Sequence, residues 1–299
     1  DQIVGYKGDE EAADDGHLLD RGQASAILCR CDFRDIGRRH DAGSADCQAT
    51  NDAVDDKLGR GAGNAGAEGG ETHRFRYSAS LFGIPIGKAD FTSRLEEDRF
   101  EVSGRFASAG VARLFDRTDG RVTSKGQLSN QSVVPSSYEL AYTSGKKRET
   151  TSIRYKRGQV VTTVITPKPK KRAKDWVAVS KDDLTDALDP LAALLSPVQG
   201  ASGGCNRRFK VFDGEMRADI VFSPAAKGER IGRDLITCKA RFIPISGYRK
   251  GRSTIAFLRD KARILVAFKP LGTRGHHTPV LAQIGTKIGT VHIQGRPVD

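Results

Sequence analysis

The sequence has one methionine and one tryptophan in 299 residues, and aromatics make up only 7%. Apolar residues reach 37%, low for a chain of this length, so part of it is expected to lie outside any core. No apolar stretch approaches the about 20 residues that a membrane-spanning helix needs. The apolar run nearest the start, Ala24–Leu28, is too short for the hydrophobic part of an export signal. Catalytic signatures are missing too. There is no Gly-x-Ser-x-Gly elbow, no His-Glu-x-x-His and no phosphate-binding glycine loop. Gly145-Lys146-Lys147 lacks both the preceding glycine and the hydroxyl residue of such a loop. His276-His277 sits between Gly and Thr and reads as a surface loop, since adjacent histidines point apart in extended chain. The expectation is a protein that is not an enzyme and carries no cofactor and no metal.

Cysteine is scarce, with five in the chain. Cys29, Cys31 and Cys47 with His40 could mimic a zinc site, but their spacing fits no common structural pattern. Cys205 and Cys238 each adjoin a strand-like segment, with a hairpin between them and no catalytic company. They are read as a disulfide across 33 residues, against the alternative of two buried free thiols. Such a bridge contributes about 3–4 kcal/mol and belongs outside a reducing cytosol.

Charge is unevenly distributed. Residues 1–70 hold 15 Asp and Glu against 8 Lys and Arg, with Tyr6 and Phe33 as their only aromatics. Residues 71–299 hold 22 acidic against 41 basic residues. The first segment cannot bury enough apolar surface to offset chain entropy, about 1–2 kcal/mol per backbone residue. It is expected to be disordered, or not the native N-terminus at all, because its Gly, Ala, Arg and Asp mix resembles GC-rich DNA translated out of frame. The remainder, 71–299, is expected to form a single β-rich domain. Its basic surplus suggests an anionic partner. Nucleic acid is not expected, because no recognition fold or interleaving of aromatic and basic residues is present. Peripheral contact with an anionic membrane surface is compatible with the charge. The basic, Pro-rich run Pro167–Arg172 is read as a solvated loop.

From Phe75 onward apolar residues alternate with period two, as in an antiparallel sheet with one buried face. Phe75, Tyr77, Ala79 and Leu81 begin the pattern. It continues after a bend at Gly83–Gly87 with Ala89, Phe91, Ser93 and Leu95, and again with Phe100, Val102, Gly104 and Phe106. Tyr138, Leu140 and Tyr142 follow, then Thr151, Ile153 and Tyr155, a hairpin at Lys156–Gly158, and Val160–Ile165. Asp213-Gly214 joins Phe209–Phe212 to Met216–Phe222 in a hairpin. Ile236–Phe242, Ile264–Phe268, Val280–Ile284 and Val291–Ile293 complete the set. Asp219 falls at an outward polar position. Helical signals are confined to Gly110–Asp116, to Ser180 with Asp183 as a cap, and to Asp189-Pro190 before Leu191–Leu195. The expected fold is all-β, or β-dominated: a curved antiparallel sheet or open barrel with a short helical insertion near 180–195.

Four strings carry a resemblance. They are Tyr77-Ser-Ala-Ser-Leu-Phe-Gly-Ile-Pro-Ile-Gly87, Leu188-Asp-Pro-Leu-Ala-Ala-Leu194, Val211-Phe-Asp-Gly-Glu-Met-Arg-Ala-Asp219 and Cys238-Lys-Ala-Arg-Phe-Ile-Pro-Ile-Ser-Gly247. Together they resemble a family of exported proteobacterial proteins, domain of unknown function 3108, over roughly residues 73–294. The resemblance implies a periplasmic or cell-envelope location and a curved β-structure, and brings no catalytic residues. The functional expectation is a non-enzymatic envelope protein that binds a lipid-like or anionic amphipathic ligand. Its contacts would be the inward aromatics Tyr77, Phe91, Phe106, Tyr138 and Tyr142, with basic residues at the rim. A structural or assembly factor docking on another envelope component is the second reading, and a hydrolase the third.

Overall fold

The computed structural model describes residues 70–128, 132–169, 172–195, 204–272 and 276–298. Cys29, Cys31, His40, Cys47 and the expectations for the acidic first segment lie outside these residues.

The alternating segments form strands that pair with their sequence neighbours. The first meander is β1 (Glu71–Leu81), β2 (Ile84–Leu95), β3 (Arg99–Ser108), β4 (Thr118–Leu128), β5 (Val133–Ser144), β6 (Lys147–Lys156) and β7 (Gln159–Thr166), with α1 (Ala112–Phe115) between β3 and β4. An excursion follows: β8 (Trp176–Val177), a tight turn at Asp182–Leu184 and α2 (Pro190–Leu195). The second meander is β9 (Arg207–Phe212), β10 (Arg217–Pro224), β11 (Ile236–Ser246), then β12 (Tyr248–Arg249), α3 (Ser253–Asp260), β13 (Ile264–Leu271), β14 (His276–Thr286) and β15 (Gly289–Pro297). β15 pairs with β1, so the two meanders merge into one 13-stranded antiparallel sheet that ends at β7 and β9. The β-dominated class expected from alternation is the class observed.

Those two ends do not pair with each other. Residues 185–188 lie between them as a strap. Thr185 bridges Gln159 of β7, and Leu188 bridges Val211 of β9. The amide of Asp186 donates to the Gly158 carbonyl at 2.9 Å, that of Leu188 to Lys210 at 2.7 Å, and that of Phe212 to Leu188 at 2.8 Å. Unpaired edge groups, costly when buried and sticky when exposed, are thereby partly satisfied.

Bending a sheet this wide requires bulges and small residues. Register shifts occur between Ala79 and Ser80, Lys125 and Gly126, Arg154 and Tyr155, Arg217 and Ala218, and Ala267 and Phe268. Four glycines lie directly opposite aromatic residues: Gly104 opposite Phe91, Gly120 opposite Phe106, Gly126 opposite Phe100 and Gly295 opposite Tyr77. A Cβ on Gly104 or Gly120 would sit 2.3 Å from the facing ring, so the ring occupies the space a side chain would need.

Core residues lie on the inner face. α2 touches β4 and β5 of the first meander and β9 and β14 of the second, so it lies inside the curve. Its Pro190, Leu191, Ala192 and Leu195 are buried. Ile255 and Leu258 of α3 pack with Met216, Ala218, Ala240, Phe242 and Ile264. A disulfide joins Cys205 to Cys238, and both pack against Phe268.

Several local readings change. His276-His277 form the start of β14 and are buried, because they pair with Leu271 and Pro270 of β13 rather than sitting in a surface loop. The bend after Leu81 is confined to Phe82-Gly83, and Ile84–Gly87 already belong to β2. β4 and α3 carry no clear sequence signal.

Asp219 does lie opposite the Ala218 face, yet it is buried rather than solvated. Two arginines close on its carboxylate, and one of them meets the segment carrying Asp183. Arg217 Nη2 donates to Asp219 Oδ1 at 2.6 Å, and Arg208 pairs with Oδ2. Arg217 Nε reaches the Asp183 carbonyl at 2.9 Å, while Ser246 Oγ and the Ser180 amide both donate to Asp183 Oδ2 at 2.9 Å. Burial opposes ionisation of Asp219, but the hydrogen bonds from Arg208 and Arg217 outweigh it and hold the carboxyl below its ordinary range. Asp219→Ala should destabilise the fold by about 3–5 kcal/mol, because it removes the carboxylate that pairs directly with the buried Arg217. Urea unfolding checks this, and a loss typical of a surface site would contradict it.

Candidate functional site

The place where strand pairing is interrupted is also where polar chemistry collects. Asp189 ends the strap and starts α2, with Pro190 at the first helical position, where its missing N–H costs nothing. Asp189 is fully buried. Its Oδ1 accepts from the amides of Leu191 at 2.9 Å and Ala192 at 3.0 Å, and its Oδ2 accepts from Ser124 Oγ of β4 at 2.8 Å. Burial pushes its carboxyl up to about 6, against the pull of those hydrogen bonds. Both oxygens are therefore engaged. Asp189 acts as a clamp that ties the helix start to the far wall of the sheet.

Tyr138 and Tyr155 lie near this clamp. Neither hydroxyl has a hydrogen-bond partner among the described residues. Burial first, then the nearby charge of Asp189, raises both phenols above their ordinary range. Glu215 sits close to Asp213. Burial pushes it up to about 7, opposed by its ion pair with Arg172, and Asp213 and Glu149 add to the rise. Arg172 also stacks over Trp176 at 4.1 Å, so the end of the basic Pro-rich loop is docked rather than solvated. Asp213 is the turn residue expected, its Oδ1 accepting from the amides of Glu215 at 3.0 Å and Met216 at 2.8 Å.

Outside the clamp is a groove of about 290 Å³ between β5 and β9, floored by the strap. Val133, Val134, Pro135, Leu188 and Phe209 supply apolar surface. Arg208, Lys210 and Asp186 supply charge. Lys210 is exposed, and its Nζ donates to the Thr185 carbonyl at 3.3 Å.

The five aromatics expected to hold a ligand all face inward but do not line this groove. Tyr77 lies across Gly295, meets Phe91 edge-on at 5.7 Å, and donates its hydroxyl to the Pro279 carbonyl at 2.8 Å. Phe91 and Phe106 cover Gly104 and Gly120. Tyr138 and Tyr142 are buried in the core. Sequence reading missed the groove residues because the strap brings them together from β5, the β6–β7 turn and β9. The alternation of Arg208, Phe209 and Lys210 was the one local hint.

The family model for proteins of unknown function (DUF3108) matches residues 76–294. The chain belongs to the DUF3108 family. No curated protein matches it significantly. A beta-barrel-like protein of domain of unknown function DUF1849 from Brucella abortus is similar at 11% identity, over 76% of this chain and 98% of that one, with a TM-score of 0.44. A DUF1329 family protein from Desulfovibrio piger is similar at 8% identity, over 76% and 83%, with a TM-score of 0.20. Likeness at this level says nothing about a site in the DUF3108 chain.

The raised carboxyls give a pH signature. A carboxyl whose folded value lies above its unfolded one costs stability as pH rises between the two. For Asp189 that window runs from 3.8 to about 6, and for Glu215 from 4.5 to about 7. Asp219 and Asp183, held low, contribute above their ordinary range and lose that contribution only in stronger acid. The protein should therefore melt higher near about pH 5 than near about pH 8, and Asp189→Asn should narrow the difference by stabilising the neutral-pH form. Calorimetry at both pH values checks this, and an unchanged difference in the variant would contradict it.

Proposed function

We propose that this DUF3108 protein is a non-enzymatic binding protein of the cell envelope that holds the anionic end of an amphipathic molecule in the groove at the seam. The observation that carries the reading is the groove's lining. Apolar Val133, Val134, Pro135, Leu188 and Phe209 lie beside the cations Arg208 and Lys210, at the gap where strands do not close the sheet. A volume of about 290 Å³ lies at the lower limit of sites for small organic molecules, roughly 300–1,000 Å³. It suits a head group and the first part of a chain rather than a whole lipid.

Arg208 is shared with Asp219, so Lys210 is the freer cation for a carboxylate or phosphate oxygen. The disulfide between Cys205 and Cys238 supports an oxidising compartment. Native mass spectrometry of the full chain purified from its own host tests the reading. The wild type should carry an anionic amphiphile, and Lys210→Glu should reduce its occupancy about tenfold or more, as loss of one charge-assisted contact implies. A ligand-free wild type, or equal occupancy in the variant, would overturn it.

A further inference from the structure

Most of the large apolar side chains left exposed cluster at one end of the sheet. They are Phe82 in the β1–β2 turn, Ile84 beside it, Val111, Leu114 and Phe115 in and before α1, and Ile288 in the β14–β15 turn. Exposure reaches 74% for Phe82, 82% for Leu114 and 65% for Phe115. Three contacts make these turns neighbours. The Phe82 ring lies so close to Gly289, next to Ile288, that a Cβ there would meet it at 2.5 Å. A Cβ on Gly110 would meet the Pro85 carbonyl at 2.5 Å. Ala112 of α1 packs with Ile86 of β2 and Val291 of β15. Buried Ala112 thus turns the remaining apolar residues of α1 outward. Single exposed apolar residues need no explanation, but a continuous group of this size does.

Exposed cations surround the group. Arg117 in α1's exit, Lys146 in the β5–β6 turn, Lys147 and Arg148 at the start of β6, Lys287 in the β14–β15 turn and Lys261 just after α3 are all exposed. The amide of Gly145 donates to the Arg117 carbonyl at 3.1 Å, which ties the β5–β6 turn to the α1 exit. Gly285 donates to the Arg263 carbonyl at 2.8 Å, which brings the α3 exit to the same end. Several acids at this end are hydrogen-bonded or ion-paired. Asp119 pairs with Arg113, Asp260 with Arg259, and Asp116 accepts from Ser144 at 2.8 Å. An apolar tip ringed by exposed cations matches a bilayer surface that presents anionic head groups over an acyl interior. The seam groove lies at the opposite end of β5, near Val133 and the β6–β7 turn, so the two surfaces are separate.

We infer that this end of the protein docks peripherally on an anionic lipid bilayer, with Phe82, Leu114 and Phe115 entering the interface and the surrounding Lys and Arg contacting head groups. The inference stands whether or not the groove binds a ligand. Co-sedimentation of the full chain with phosphatidylcholine vesicles, with and without phosphatidylglycerol, tests it. The wild type should sediment with the mixed vesicles and not with phosphatidylcholine alone, and raised salt should release it. The exposed-site substitutions Phe82→Ser and Leu114→Ser together, and Lys146→Glu with Lys147→Glu, should each weaken partitioning about tenfold or more. Unchanged melting curves would show that the variants remain folded. Absence of sedimentation, or sedimentation that neither pair of changes alters, would overturn the inference. So would self-association in analytical ultracentrifugation that Phe82→Ser and Leu114→Ser abolish, since the apolar end would then belong to a second copy of the chain.

Discussion

Thirteen strands leave two raw ends, β7 and β9, and residues 185–188 pair with both. Much of the rest follows from that constraint. The strap must be held at both sides, so its backbone is consumed by hydrogen bonds to Gly158 and Lys210. It must also be held from within, because a single extended segment between two edges has no sheet of its own to stiffen it. Asp189 does this from inside, gripping the start of α2 and Ser124 at once. Burying a carboxyl for the purpose is costly, and its raised proton affinity is the visible sign of that cost. Outside, Arg217 and Asp219 anchor the preceding segment through Asp183.

The same constraint shapes the groove at the seam. A curved sheet can leave its inner face open or fill it. Here α2 enters the curve and aromatic rings lie down on glycines, so both take up room on the inner face. A groove lies at the seam, where the strap stands beside side chains of β5 and β9. The Cys205–Cys238 bridge fixes the chain where it returns from the excursion to begin β9, which keeps that wall of the groove in register with β11.

Alternation made most strands legible, because their inward positions are apolar. It failed for β4, whose inward positions are Gly120, Val122, Ser124 and Gly126. Three of those four are small because Phe106 and Phe100 cover the glycines and Asp189 needs the Ser124 hydroxyl. The signal was removed by partners elsewhere in the chain. α3 was missed for a simpler reason: only Ile255 and Leu258 are buried in its eight residues, too few to show a period. The Asp213-Gly214 and Arg157-Gly158 turns were readable because they are local. Asp189 was recognised as a helix cap, but its burial and its Ser124 partner, 65 residues away, were not recoverable from spacing. The groove depends wholly on the strap and left almost no local trace.

Amide hydrogen exchange across the seam tests the closure most directly. The amides of Asp186, Leu188 and Phe212 donate between strap and edges. They should exchange as slowly as those of central strands such as β1 and β15, opening only with global unfolding. Exchange as fast as that of the exposed Phe82-Gly83 turn would show that the strap does not hold the sheet together.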